Sequence, residues 1–329
     1  MPIQNPADLD LARARLAAAQ RLLVITHIAP DGDAIGSLLG LGLALRAAGH
    51  APVLACADPV PEVFRFLAGA DTITAAPEGD FDYAVALDVS DPARMGAVGA
   101  ALGRPPDLVL DHHLTNPGFG ALNFIDVAAA STAELVTELL PALGLPLPNE
   151  AAQALLTGVV SDTLGFRTSN TTPKTLGLAQ TLMQAGGELS RVYDLALFKR
   201  SYSAVRLWAE GLSRMQLKHH LIWARLPLEA RKAAGFQGIG DADLINLLTS
   251  VREADIALIF VERADGKVKV SWRSVAGINV AEVAAQFGGG GHAQAAGAEV
   301  AGTLDDVEAQ VLAATRPLAK AARTPTPAA

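Results

Sequence analysis

The stretch Leu108-Val109-Leu110-Asp111-His112-His113 runs an apolar segment directly into three side chains of metal-binding type. The apolar residues read as a buried strand, which puts the triplet at its carboxyl end. Burying such groups is costly unless they are paired, hydrogen-bonded or metal-bound. In an open α/β sheet, the carboxyl ends of the strands are also where ligands bind. Three further segments repeat the arrangement. The run Leu22 to Thr26 leads into His27 and Pro30-Asp31-Gly32-Asp33, Tyr83 to Leu87 leads into Asp88-Val89-Ser90-Asp91, and an apolar run ends in Val160-Ser161-Asp162-Thr163. Gly32, between two aspartates, is expected to let the backbone turn so that both carboxylates face one cleft.

The pattern around these segments alternates. Helices are predicted near 7–20, 34–48, 131–143, 150–161 and 173–185, with another strand near 52–56. Strands alternating with helices predict an α/β domain with a doubly wound, mainly parallel sheet over residues 1–187. Gly186-Gly187 breaks the pattern ahead of a helix-like stretch, 188–216, expected as a helical linker. A smaller α/β domain is expected over 217–320. It would hold strands at 220–226, 255–262 and 267–273, helices at 241–251, 279–286 and 303–320, and a Gly-rich loop from Phe287 to His292. Residues 321–329, with Thr324-Pro325-Thr326-Pro327, are expected to be a disordered tail. Trp208, Trp223 and Trp272 read as packing residues, and His219-His220 as a surface pair.

Half of the 329 residues are hydrophobic, yet no apolar run reaches the ~18 residues of a membrane span. The amino-terminal residues lack the order of a signal peptide. The single cysteine, Cys56, excludes an internal disulfide and reads as a small buried hydrophobe. A cytoplasmic protein with no membrane partner is the expectation. The net charge of −8 argues against general duplex binding. It is unevenly spread: residues 1–150 hold 7 Lys/Arg and 18 Asp/Glu, whereas 151–329 hold 19 and 16. An acidic first part suits a cation site, and a mildly basic second part suits an anionic substrate.

Taken singly, each segment is a weak signal. A lone Asp after a strand serves as often as a helix N-cap, and a lone His there is more often structural. Four such segments on consecutive strand and helix ends are hard to explain as caps. Clustered carboxylates raise one another's pKa, and cations relieve that repulsion. Mixed imidazole and carboxylate donors suit Mn2+, and also Fe2+, Co2+ or Zn2+, while pure oxygen donors would suit Mg2+ or Ca2+. Six or more ligands exceed what one ion takes, so two ions about 3.5–4 Å apart and sharing a carboxylate are expected. Such a pair generates a hydroxide nucleophile near neutral pH and clamps the oxygens of a phosphoryl group.

The segments THIAPDGDAIGS, ALDVSD, DHHLTN and GVVSDTLGF resemble, in order and spacing, the motifs of the DHH phosphoesterases. The stretch WRSVAGINVAEVAAQFGGGGHAQAAG resembles the DHHA1 substrate-binding domain that accompanies them. In overall size the chain resembles the oligoribonuclease (nanoRNase) and pAp phosphatase subfamily. The resemblance implies a DHH domain joined to a DHHA1 domain and a pair of divalent cations, with Mn2+ favoured over Mg2+ or Co2+. His27, Asp31 and Asp88 would hold one ion. Asp33, Asp88, His112 and Asp162 would hold the other, with Asp88 bridging. His113 would face the scissile phosphate, and Asp111 would sit behind the ligands and orient a histidine.

In the second domain, Arg273 and Ser274 offer phosphate a planar guanidinium and a hydroxyl. Gly288, Gly289, Gly290 and Gly291 would permit close backbone approach to an anion, and His292 would add a donor or stack on a base. Asn116 and Arg167 are further candidates for substrate contacts. The resemblance implies hydrolysis of short single-stranded RNA or DNA and of pAp by a homodimer. Three alternatives stand beside it. A phosphodiesterase for cyclic di-AMP or linear pApA would use the same metals. An inorganic pyrophosphatase or polyphosphatase is disfavoured by the Gly-rich loop. A non-catalytic nucleotide sensor is disfavoured by the complete ligand set.

Overall fold

A computed structural model of the protein describes residues 6–238 and 240–321. The chain divides into two compact units, with the boundary between Lys199 and Arg200. Among the described residues no helix is long and apolar enough to cross a membrane.

The first unit is built on five parallel strands: β1 (Leu22–Ile25), β2 (Val53–Ala55), β3 (Tyr83–Leu87), β4 (Leu108–Asp111) and β5 (Leu122–Ile125). They lie in the order β2-β1-β3-β4-β5. Both faces are covered, as the near-continuous hydrophobic runs require of a parallel sheet. Leu22, Val24, Val85, Leu87, Leu108 and Leu110 turn to one core, whereas Leu23, Ile25, Ala84, Ala86 and Val109 turn to another. Of the helices α1 (Pro6–Ala18), α2 (Gly32–Ala47), α3 (Gly96–Leu102), α4 (Thr132–Ala142), α5 (Asn149–Asp162) and α6 (Pro173–Gln184), all but α3 pack into the first core, chiefly α2, α4 and α5. The second core holds Met95 and Val98, the latter on α3. Strand order reverses between β1 and β3, and that crevice is where open α/β sheets place their ligands.

One helix pair brings distant motifs together. Helices α2 and α5 touch along small residues, with Gly36 against Gly158 and Gly32 against Ser161. A Cβ on Gly36 would come within 2.7 Å of the Gly158 backbone nitrogen, so any side chain would push the helices apart. Because the pair runs antiparallel, the start of α2 meets the end of α5. Asp33 and Asp162 thereby reach the same place. The expected reason for Gly32 is corrected here. Its backbone is ordinary helix; what matters is the missing Cβ, which would lie 2.1 Å from Ser161 Oγ.

The stretch 188–216, expected as a helical linker, is divided between the units. Helix α7 (Leu189–Val192) continues into a π-helical turn, Tyr193–Phe198, and Val192 and Ala196 pack into the first unit's core. Helix α8 (Tyr202–Ser213) packs into the second unit through Leu207.

The second unit is a six-stranded sheet of β6 (Gln216–Lys218), β7 (Leu221–Leu226), β8 (Ile256–Glu262), β9 (Lys267–Ser274), β10 (Gly290–His292) and β11 (Ala295–Ala301). The order is β10-β11-β9-β8-β7-β6, with only β7 and β8 parallel. Helices α9 (Leu228–Ala234), α10 (Leu244–Leu248), α11 (Ala281–Gln286) and α12 (Leu304–Ala321) complete it. Trp272 is fully buried and donates its indole N–H to Thr315 Oγ1 (3.1 Å), and Trp223 donates to Glu308 Oε1, as packing residues should. The tail expected to be disordered lies, from residue 322 onward, outside the described residues; Ala321 closes α12.

Candidate metal centre

The chain turns sharply where β3 ends. Asp88 has φ +59°, a left-handed conformation that costs most residues about 1 kcal/mol but that aspartate tolerates. Its carboxylate is 2 % exposed and is shared between two groups of side chains. Oδ2 lies 3.4 Å from His27 Nε2, whereas Oδ1 lies 3.7 Å from His112 Nε2. On the first side, His27 Nε2 is also 3.9 Å from Asp31 Oδ1. On the second, His112 Nε2 is 3.9 Å from Asp33 Oδ2 and 3.6 Å from Asp162 Oδ2. Donor atoms of His27, Asp31 and Asp88 lie within 4.8 Å of one another, and so do those of Asp33, His112 and Asp162.

These groups fit divalent cations. Two ligands about 2.1 Å from one ion lie about 3–3.5 Å apart, so a small contraction would close either group around an ion. The ring orientations agree. His27 Nδ1 is 2.7 Å from the Ile28 carbonyl and His112 Nδ1 is 3.4 Å from that of Ala129. A proton on each Nδ1 leaves each Nε2 with its lone pair toward the carboxylates.

The charge balance points the same way. Asp33 is pushed well above the usual carboxylate range by burial and by the charges of Asp88 and Asp162. Asp162 is raised by burial, Asp88 and Asp31. Burial also works against Asp88, but the hydrogen bond to His27 and the charges of His112, His27 and His113 outweigh it and hold its pKa well below the usual range. Burial likewise disfavours a charged His27, yet Asp88 and Asp31 raise its pKa overall. Three buried or half-buried carboxylates that cannot all ionise by themselves are the environment that cations relieve.

Asp111 and His113 form a separate pair. Asp111 is fully buried, and its Oδ1 accepts from the His112 backbone N–H (2.9 Å) and lies 2.7 Å from His113 Nδ1. The donor atoms of His113 also fall within 4.8 Å of those of Asp88 and His112, so ligation by His113 has to be weighed. The nitrogen that nears Asp88 Oδ1, at 3.6 Å, is the same Nδ1. Donating its proton to Asp111, it has no lone pair to offer an ion. Burial opposes the charged ring, but the hydrogen bond to Asp111 and the charges of Asp88 and Asp111 raise the His113 pKa to about 9.

That pKa has a signature in stability. A group raised on folding stabilises the fold fully below its unfolded pKa, and the contribution is lost as pH rises through the folded value. For His113 the window runs from 6.5 to about 9. In chelated protein the unfolding free energy is expected to fall across it by roughly 3 kcal/mol. His113→Gln should remove its own share of that slope and leave what the raised pKa values of His27, Asp33 and Asp162 contribute. Denaturant titrations at several pH values measure it; a flat wild-type profile would contradict the Asp111–His113 pairing.

Three further residues organise the site. Asn116, expected among the substrate contacts, is instead engaged within the protein. Its amide donates to Asp111 Oδ2 (2.7 Å) and Val89 O (3.0 Å), and its oxygen accepts from Gly118 N–H (2.8 Å), so it holds Asp111 in place. Thr132 and Arg94 were not singled out in the sequence. The Thr132 N–H donates to Asp33 Oδ2 (2.6 Å), its hydroxyl donates to Asp88 Oδ1 (3.0 Å), and Ala133 N–H donates to Asp33 Oδ1 (2.9 Å). The first turn of α4 thus carries two carboxylates. Ser131-Thr132 reads in sequence as an ordinary helix start, which it also is, since Ser131 caps α4. Arg94 lies beside His27, with Nη2 3.0 Å from Nδ1. Asp31 plays both parts foreseen for a lone aspartate: it caps α2 and faces His27.

Two of the substrate candidates of the second unit, Arg273 and His292, share one row of its sheet. Strand pairing aligns His292 with Ala295 and Ala295 with Arg273, so His292 and Arg273 project from one face with a small residue between. Arg273 is mostly buried, and burial lowers its pKa. Its Nη1 donates to Trp272 O (2.9 Å), and Ser274 Oγ donates to Ile278 O (2.7 Å). The expected Gly-rich loop is in part an edge strand. Gly288 has φ +73°, a Cβ on Gly289 would meet Gly297 O at 2.1 Å, and one on Gly291 would meet Ala295 O at 2.4 Å. Those three serve the hairpin. Gly290, which faces open space without a positive φ, has no such need. Arg167 is exposed on the segment after α5, where its N–H donates to Thr163 O.

Two family models match the chain: the DHH family, N-terminal domain, over residues 21–159, and the DHHA1 domain over 241–319. A bifunctional oligoribonuclease and PAP phosphatase NrnA from Thermus thermophilus is 37 % identical over 305 residues, 90 % of this chain and 89 % of that protein. The chain belongs to the DHH family. A NrnA from Mycoplasma pneumoniae is 27 % identical, covering 90 % of this chain and 92 % of its own length. Among solved structures, an exopolyphosphatase-related protein from Bacteroides fragilis superposes with a TM-score of 0.89 at 25 % identity, covering 96 % of this chain and 98 % of that one. The segments that carry the DHH-family resemblance in sequence are the ones that converge at the β1/β3 crevice.

Proposed function

We propose that this chain is a divalent-cation-dependent phosphoesterase that degrades short single-stranded oligoribonucleotides to mononucleotides and dephosphorylates pAp. One observation carries the reading: a single buried carboxylate, Asp88, presents its two oxygens to two donor groups. The NrnA relatives support the substrate class. His27, Asp31 and Asp88 hold one cation and Asp33, Asp88, His112 and Asp162 the other, with Mn2+ best suited to the mixed donors. When bound, such a pair supplies an activated water and neutralises charge developing on the phosphoryl group.

The chain's own residues do the rest. Asp111, pinned by Asn116, fixes the His113 ring through Nδ1 and keeps it protonated. His113 Nε2–H donates to the ribose oxygen as its bond to phosphorus breaks, so the leaving group departs as a neutral hydroxyl. Arg273, Ser274, Gly290 and His292 hold the terminal phosphate and base of the nucleotide, a grip that favours short strands. Arg273→Ala is accordingly expected to raise KM about 10- to 100-fold, as loss of a charged hydrogen bond does, and to leave kcat within a few-fold. If turnover of saturating dinucleotide collapsed while affinity held, the gripping role would be wrong.

The decisive assay incubates the protein and Mn2+ with 5′-labelled RNA ranging from dinucleotides to much longer strands, with pAp, cyclic di-AMP and pyrophosphate alongside. Rapid conversion of dinucleotides to mononucleotides and release of phosphate from pAp are expected. Turnover of cyclic di-AMP or pyrophosphate with no turnover of RNA dinucleotides would overturn the reading.

A further inference from the structure

Arg94 lies beside the cation groups, carries a fixed positive charge and has no part in the proposed reaction. It lies in a single 3-10 turn, Pro92–Met95, which starts at the Asp91 N-cap. The turn is tied to the site at the backbone, where Ile28 N–H donates to Arg94 O (2.7 Å). The backbone of Arg94 is therefore held beside the segment that delivers His27.

Its side-chain contacts are few. Nη1 lies 3.4 Å from Ser90 Oγ and Nη2 lies 3.0 Å from His27 Nδ1. With the Nδ1 proton directed to Ile28 O at 2.7 Å, that nitrogen has no lone pair for Arg94. The guanidinium then rests against the ring edge as a charge and not as a satisfied donor. Among the described residues no carboxylate comes within 4.0 Å of it, although Asp31 and Asp88 lie at the other edge of the same imidazole. An arginine so placed does not serve the cations, which it repels. A planar fork of N–H donors, half-buried beside a cation site and unmatched by carboxylate, is suited to phosphate.

We propose that Arg94 is a phosphate-binding residue of the catalytic unit, its guanidinium donating to a non-bridging oxygen of the substrate phosphoryl group on the His27 side of the cation pair. This rests on the phosphoesterase reading above. It gives the first unit a phosphate grip of its own, independent of Arg273. The rival role is a structural one, in which Arg94 merely props His27 for cation binding. The two roles predict opposite changes in cation affinity, because a residue that props a ligand helps the ion bind, whereas a neighbouring positive charge hinders it.

The test compares wild type with Arg94→Gln and Arg94→Lys in three measurements: titration of the cation-free protein with Mn2+, titration of the Mn2+-loaded protein with inorganic phosphate, and kcat/KM on an RNA dinucleotide. Arg94→Gln is expected to bind Mn2+ as tightly as wild type or more tightly. It should lose about 10- to 100-fold in phosphate affinity and in kcat/KM. Arg94→Lys, which keeps the charge but not the fork, should fall between and also guards against a misfolded Gln variant. Mn2+ affinity falling in step with activity would establish the propping role and overturn the proposal. So would unchanged phosphate affinity and kcat/KM in Arg94→Gln. If the wild type turned over no phosphoester, the functional reading would fall, and the phosphate titration would still decide the role of Arg94.

Discussion

Asp88→Ala is expected to lower kcat/KM for dinucleotides by at least about a thousandfold, because cation-based stabilisation of a phosphoryl transition state is worth several kcal/mol. The reason is geometric. Each of the other five candidate ligands faces one donor group, and Asp88 faces both. Its loss opens two sites at once. It also strips Thr132 Oγ1 of its acceptor in a fully buried setting. Asp88→Asn keeps the volume and separates the two consequences. In wild type, added Mn2+ should raise Tm by mass action, since it binds the folded state. In Asp88→Asn that rise should largely disappear. Without cation the variant should lose the stabilisation that His27, His112 and His113 give a charged Asp88, offset in part because Asp33 and Asp162 lose a repelling neighbour. Near-normal Mn2+-dependent activity in either variant would refute the bridging role.

His113→Gln is expected to reduce kcat about 10²- to 10⁴-fold, the usual contribution of a positioned proton donor. KM and Mn2+ affinity should change little. The ring's Nδ1 is committed to Asp111 at 2.7 Å, so the residue acts on substrate through Nε2. The deficit should shrink when the leaving group needs no proton. A nucleotide p-nitrophenyl phosphodiester, whose leaving group is a stable anion, is therefore the informative comparison. An equal loss on both substrates would exclude proton donation. A large loss of Mn2+ affinity would instead make His113 a ligand and overturn this role. Asp111→Asn should mimic part of the defect by weakening the hydrogen bond that holds the ring charged.

The fold of the first unit was legible because parallel strands are buried on both faces and read as unbroken apolar runs. Leu22–Ile25, Tyr83–Leu87 and Leu108–Asp111 stand out on that ground. Other strands did not. Strand β5 follows two glycines and is only partly buried, and β11, of sequence AAGAEVA, is made of small residues with little strand preference. It forms because β9 and β10 flank it. The short helices α3 and α9 were missed for a related reason. Seven residues are too few for a clear helical period.

In the site, the six candidate ligands and Asp111 could be named from sequence because each ends an apolar run. Asn116, Thr132 and Arg94 could not be assigned their parts. An asparagine in a loop, a threonine at a helix start and an arginine in a turn have common local uses. Their partners here, Asp111, Asp33, Asp88 and His27, lie up to about a hundred residues away.

The sequence by itself determined which side chains arrive at the strand ends, since hydrophobic burial decides where a strand runs and therefore where its polar terminus emerges. Tertiary structure alone decided how those groups are shared. The close contact of Gly36 with Gly158 brings Asp162 to Asp33, the left-handed turn at Asp88 splits one carboxylate between two donor groups, and the Asp111 hydrogen bond occupies Nδ1 of His113. Distances of a few tenths of an ångström between groups far apart in the chain make that division, and no local pattern of residues encodes them.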